Sequence, residues 1–516
     1  MSSEQEVIQK YLSETESPSL SHFIRLHQDF LIQNSPDNVN IGEYWSACLK
    51  KHARLLKKTL LKGSKVDWKT LNNKLKEARG GSTSSPDTPD EAASAGPLPP
   101  KTNSKTSTPS SSFNKRSRSS SSKGDAYEMS DEMLEEYKDT FKGLDDSSKW
   151  DLGDGVYVED ILYQHGLTCT HEHLSHSFIL DIDDPNIKKL FTSEQWEEIK
   201  STPCEAFEKY NDTCKDLFNM VSELVSDYMT DKSMVLSAKE EEEVVDLLFE
   251  KLNENRLPNP KTNHNEYWIQ KTMIEYLEMF RWKVIDWVKT GGSEMDFIVN
   301  VWAPLDKVFH DLMVATKRDN TSLSTNYIDN QDIGVHGSAI PSKLRSIRPD
   351  LVLFRNGLEY GVGECGKGED GEISKKEIVE TGLHCPKMMK SMLLYSGAKC
   401  DNDEKVLRAL RVVSFCQFDL RMSVSVLDSP AGYICRLRST PKYEIFTIPS
   451  MIPGGLILIM KIVLKSKLTV ENSMKVIREY TSKKKNDEPD VKSSSTNDMT
   501  LILPRLQKSG FKKQKN

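Results

Sequence analysis

Apolar positions recur at helical spacing through the first part of the chain: Tyr11, Phe23, Leu26, Phe30, Leu31, Tyr44, Trp45, Leu49, Leu55, Leu60, Trp68, Leu71 and Leu75. Steps of three and four residues put such side chains on one helix face, which predicts a small helical module over 1–79. The pattern then stops. From Gly80 to residue 126, Ser, Thr, Pro, Gly and Lys dominate and apolar residues nearly vanish. A segment with little to bury cannot offset the entropy of ordering, so 80–126 is expected to be a disordered linker. Helical spacing returns over 127–256, with Met133, Leu134, Tyr137 and Phe141 in one candidate helix and Phe207, Tyr210, Leu217, Phe218, Val221, Leu224 and Val225 in another. Glu240 to Glu243 precede Val244, Val245 and Leu248, as negative charge at a helix N-terminus would.

The pattern becomes mixed near Asn265. An aromatic-rich helical stretch runs from Tyr267 to Trp287, Gly291-Gly292 breaks it, and Ser293 with Asp296 forms a variant capping box opening the next helix. Two apolar runs, Leu351 to Phe354 and Leu358 to Gly363, flank Asn356-Gly357 and predict a β-hairpin. A helix is expected over Ser374 to Tyr395. Strands are expected within Val406–Val426, Gly432–Arg438, Tyr443–Thr447 and Leu456–Leu464, and a closing helix over Val470–Tyr480. Residues 265–480 thus read as an α/β (α+β) domain with a mixed sheet flanked by helices, and 481–516 as a disordered basic tail.

Composition changes this picture in three ways. At 516 residues the chain has room for two to four domains at roughly 150 residues each. With 37% hydrophobic and 28% charged residues it is more polar than an ordinary globular chain, consistent with folded segments diluted by linkers. The net charge of -7 excludes a chain coated in basic charge, so any nucleic-acid contact must come from a local patch. Nine dispersed cysteines without a CxxC pair fit reduced thiols in an intracellular, nuclear or cytoplasmic protein. The first residues lack a signal-peptide pattern. The longest apolar run, Leu456 to Leu464, is broken by Lys461 and falls far short of the roughly 20 residues of a membrane helix, so no membrane association is expected. Basic clusters at Lys115–Arg118 and Lys512–Lys515 read either as import or phosphate-binding arms or as solvated charge, and the helical N-terminal half is a candidate surface for protein partners.

The hairpin carries the chemistry. Its sequence is Arg348-Pro349-Asp350-Leu351-Val352-Leu353-Phe354, then Asn356-Gly357, then Leu358 to Lys367, with Asp350 and Glu364 near the working ends of the two runs and Lys367 close behind. Two carboxylates on paired strands beside a lysine are the minimal equipment for holding Mg²⁺ on a phosphodiester. Each also has a structural reading: Asp350 as a turn cap, Glu364 as a salt-bridge partner of Arg348 or Lys367, and Glu294 as a carboxylate in a helix first turn. Cys169, His171, His173 and His176, with Cys204 or Cys214, invite zinc, but their spacing matches no standard finger and a polar loop is the plainer reading.

Glu294 on a helix, Asp350 on one strand, Glu364 on the next and lysines beyond resemble the PD-(D/E)xK nuclease superfamily, over residues 265–480. The resemblance implies a restriction-endonuclease-like fold, Asp350 and Glu364 as Mg²⁺ ligands, Glu294 as an auxiliary ligand, and Lys367 as the catalytic lysine. Lys343, Arg345 and Arg348 would approach the phosphates of DNA or RNA. The chain departs from the family at the lysine: Glu364-Cys365-Gly366-Lys367 delivers it one residue late. Alternation along a strand would turn Lys367 away from Glu364 unless Gly366 forms a bulge. Lys375, Lys376, Lys387 and Lys390 on the following helix are the substitutes. The Arg-x-Asp-Leu and Gly-Glu strands also resemble a large group of uncharacterised fungal proteins with Ser-rich regions. The readings to separate are a Mg²⁺-dependent nuclease, a catalytically degenerate nuclease-fold module binding nucleic acid or protein, and a structural scaffold.

Overall fold

The computed structural model describes most of 3–60, nearly all of 127–486 apart from short gaps (the longest at 332–346), and 500–506. The expected linker lies outside the described residues. The chain divides into two units, Met1–Arg116 and Ser117–Asn516.

In the first unit, helices Ser3–Glu14, Leu20–Leu26 and Gln28–Asn34 bury Ile8, Tyr11, Leu12, Phe23 and Leu31 with Trp45 and Leu49. Ser19 caps the second helix by accepting from the His22 backbone N–H at 3.3 Å. Leu26, expected on the buried face, is 62% exposed.

The second unit is built on a mixed eight-stranded sheet. Its strands are β1 (Ile179–Asp181), β2 (Ala315–Arg318), β3 (Leu351–Arg355), β4 (Leu358–Gly366), β5 (Val412–Phe418), β6 (Arg421–Asp428), β7 (Cys435–Ser439) and β8 (Tyr443–Glu444). They lie in the order β1-β7-β6-β5-β4-β3-β2, with β8 against β6. The β4–β5 and β1–β7 pairs are parallel and the others antiparallel. A parallel pair needs a crossover, and the helices of 375–409 supply it between β4 and β5.

The Asn356-Gly357 turn forms as expected, with φ of 50° and 79°. Ser293 and Asp296 form the expected box: the Ser293 N–H donates to Asp296 Oδ2 at 2.7 Å. Two expectations fail. Leu456–Leu464 is not a strand but the start of a 31-residue helix, Leu456–Asn486, which absorbs the closing helix. Its first two turns are apolar nearly all round because Leu456, Ile457, Ile459, Met460, Val463 and Leu464 are all buried, and such a run carries no period to tell strand from helix. Nor is the expected tail structureless throughout: the Leu501 N–H donates to the Asn402 carbonyl at 2.9 Å, and Leu501 and Leu503 are buried in the main core. The helices Asp212–Thr230 and Ala238–Glu254 share that core with the sheet.

Candidate functional site

Strand pairing sets two carboxylates side by side. Leu351 pairs with Gly363 in the antiparallel ladder, and one step further out Asp350 stands opposite Glu364. The Cys365 N–H donates to Asp350 Oδ2 at 2.7 Å and fixes that carboxylate. Glu364 is 7% exposed, and the carboxyls of Glu380 and Asp350 both come within hydrogen-bonding reach of it. Burial first, then Glu380 and Asp350, hold its carboxyl well above the usual carboxylate range, so at neutral pH it keeps a proton.

Two further groups complete the cluster. Glu294, first residue of the Glu294–Asp296 helix, has its carboxyl raised by burial; Lys376 opposes this, while Asp350 and Glu380 add to it. Lys376, on helix Lys375–Val379, lies with Nζ 3.5 Å from Glu294 Oε2 and donates to the Cys365 carbonyl at 3.0 Å. Burial acts to lower its pKa, but Glu294, Glu380, Asp350 and Glu364 outweigh that and raise it, so the ammonium stays charged.

The expected lysine is not the one in the cluster. Lys367 donates to the Gly292 carbonyl at 2.6 Å and sits beside Asp296. No bulge forms at Gly366, which pairs in register with Phe418 of β5. A Cβ there would lie 2.4 Å from Phe418 Cε1, so β4 has no room for a side chain at the position where the family pattern puts its lysine. Lys376 reaches the carboxylates from the next helix instead. Lys387 is paired with Glu172, and Lys390 is buried and donates to the Ser177 carbonyl at 2.6 Å. Burial lowers the Lys390 pKa to about 8.

Glu380 was missed in the sequence. Its signal was faint: Lys376, Glu380 and His384 recur every four residues, as a helix face would. Glu380 also opens a π-helical turn, Glu380–His384, and a second π turn, Phe297–Trp302, follows closely on Glu294. Such turns are rare and favour functional sites, because the extra residue re-aims side chains.

Of the expected phosphate contacts, Arg348 is exposed next to the site, whereas Lys343 and Arg345 lie outside the described residues. Among the zinc candidates, both His176 ring nitrogens are occupied, Nδ1 by the His173 N–H and Nε2 by the Gly166 carbonyl, each at 2.9 Å. His171 is exposed, Cys214 is buried in helix Asp212–Thr230, and Cys204 lies outside the described residues. Cys169 and His173 do come together, but with His165.

An all-oxygen set of four carboxyl side chains suits a hard divalent cation such as Mg²⁺. The fit is internal to the structure. Burial first, and then the close carboxyls of Glu380 and Asp350, keep a proton on Glu364, and a bound cation would offset both. No protein-family model, curated protein or solved structure matches the chain. No helix among the described residues is long and apolar enough to cross a membrane.

Proposed function

We propose that the second unit is a metal-dependent nuclease of the PD-(D/E)xK kind, hydrolysing phosphodiester bonds in DNA or RNA. The observation that carries this reading is the convergence of Asp350, Glu364, Glu380 and Glu294 with the Lys376 ammonium at the β3–β4 strand ends. Asp350, Glu364 and Glu380 would hold Mg²⁺, with Glu294 as the outer carboxylate. The ion supplies a polarised phosphoryl oxygen and an activated water. Lys376 stabilises charge developing on the phosphate, since its ammonium is held by Glu294 and the Cys365 carbonyl at the rim of the cluster. Arg348, exposed beside Asp350, contacts a flanking phosphate. Glu364 must lose its proton for the ion to enter, so metal affinity rises with pH.

The test is cleavage of mixed single- and double-stranded DNA and RNA with Mg²⁺ or Mn²⁺. The wild type is expected to cleave, Asp350→Asn and Glu364→Gln to be inactive, and Lys376→Ala to lose about 10²–10³ in kcat. Lys367→Ala should stay near wild type. Absence of cleavage by the wild type with any divalent metal overturns the nuclease reading, and nucleic-acid binding without cleavage would assign the site to a degenerate binding module.

A further inference from the structure

Away from the acidic cluster, three side chains with nitrogen and sulfur donors converge. His165 lies in the last turn of helix Val158–Thr168, Cys169 is the residue that ends that helix, and His173 caps the following Leu174–Ser177 turn. The spacing His-x₃-Cys-x₃-His puts the first two on one helix face and lets the chain fold the third back over them. One donor atom from each lies within 4.8 Å of the other two, and Cys169 Sγ is 3.7 Å from His165 Nε2. The histidine rings stand nearly perpendicular, 83° apart at 5.1 Å.

We propose that His165, Cys169 and His173 bind a zinc ion. With bonds of about 2.3 Å to sulfur and 2.0–2.1 Å to nitrogen, two ligands on a tetrahedral ion lie roughly 3.5 Å apart, so small side-chain movements suffice. One thiolate and two imidazoles favour zinc over the Mg²⁺ that suits the acidic cluster. His173 Nδ1 faces Ser175, with Oγ at 2.9 Å, which leaves Nε2 for the ion. In the metal-bound ring the proton sits on Nδ1 and Ser175 Oγ accepts it, as second-shell partners of zinc-bound histidines do. This also releases the Ser175 N–H, which here donates to Nδ1 at 3.1 Å. The Asp184 carboxylate stands 3.6 Å from His173 Nε2, and all three ligands are half-buried, so the fourth position is open to Asp184 or to water. The ion would fasten the helix end to the turn that leads into β1.

The full-length protein is stripped with chelator, loaded with Zn²⁺, desalted and assayed for zinc per chain. Wild type and Asp350→Asn are expected to hold about one zinc each, and Cys169→Ala and His165→Ala to lose it, which separates this site from the acidic cluster. Cobalt(II) in the wild type should show a thiolate charge-transfer band, a readout that does not depend on any variant folding. The proposal is overturned by a wild type that retains no zinc, by Cys169→Ala retaining as much as wild type, or by a cobalt complex without the thiolate band.

Discussion

Glu364 shows how one position can set both the stability and the chemistry of a site. Its carboxyl is raised from the ordinary value of 4.5 by burial and by Glu380 and Asp350, so above that value the folded state binds more protons than the unfolded one. The sign follows: this contribution is fully present below the unfolded value and is lost as pH rises toward the raised one. In chelator, melting temperature should therefore fall from mildly acidic to mildly alkaline pH, and Mg²⁺ should oppose the fall. Glu364→Gln, which keeps the shape without the charge, is expected to flatten the slope, abolish the Mg²⁺ response and stabilise the metal-free protein at alkaline pH by about 1–2 kcal/mol. A wild-type melting temperature indifferent to both pH and Mg²⁺ would sink this account.

At the scale of elements, the site depends on how closely β4 and β5 approach. Gly366 pairs with Phe418, and the ring fills the space that a side chain at 366 would need. Gly366→Ala should cost about 1–3 kcal/mol in a denaturant titration, because Phe418 or the strand must shift. A cost within about 0.5 kcal/mol, the range of neutral surface changes, would show that the ring gives way freely. The same contact explains why the lysine comes from a helix. Ser374 caps Lys375–Val379 by accepting from the Glu377 N–H at 3.0 Å, and that start position sets Lys376 over the Cys365 carbonyl.

For the whole second unit, an ion pair beneath the sheet ties distant segments together. Arg436 of β7 is fully buried, donates to Asp428 of β6 at 2.7 and 3.1 Å, and also donates to the Ile199 carbonyl at 2.6 Å. Removing one partner leaves a buried charge alone, so Arg436→Ala is expected to cost about 3–5 kcal/mol. The double substitution with Asp428→Ala should cost less than the sum of the two singles. Additive losses in urea unfolding would show that the two side chains do not act as a pair.

The sequence alone determined whatever depends on neighbours along the chain. The hairpin at Asn356-Gly357, the Ser293 box and the helices of 212–254 follow from turn chemistry and short-range period, which act within a few residues. The pairing of Asp350 with Glu364 does not: the turn pairs Arg355 with Leu358, and a register shift between Leu353 and Phe354 moves Asp350 from opposite Gly363 to opposite Glu364. The tertiary structure decided what depends on segments remote in sequence. Leu456–Leu464 is helix, which adjacent residues could not show because a run buried on all sides carries no periodic signal. Glu380 and Lys376 joined the site because the crossover between parallel strands lays their helix over β4, and Lys367 left it because Phe418 holds Gly366 in a regular ladder. His173 met His165 and Cys169, which already share a helix face, only where the chain turns back after that helix. Local preference is written in adjacent residues, whereas convergence of side chains is set by the packing of elements that adjacent residues cannot specify.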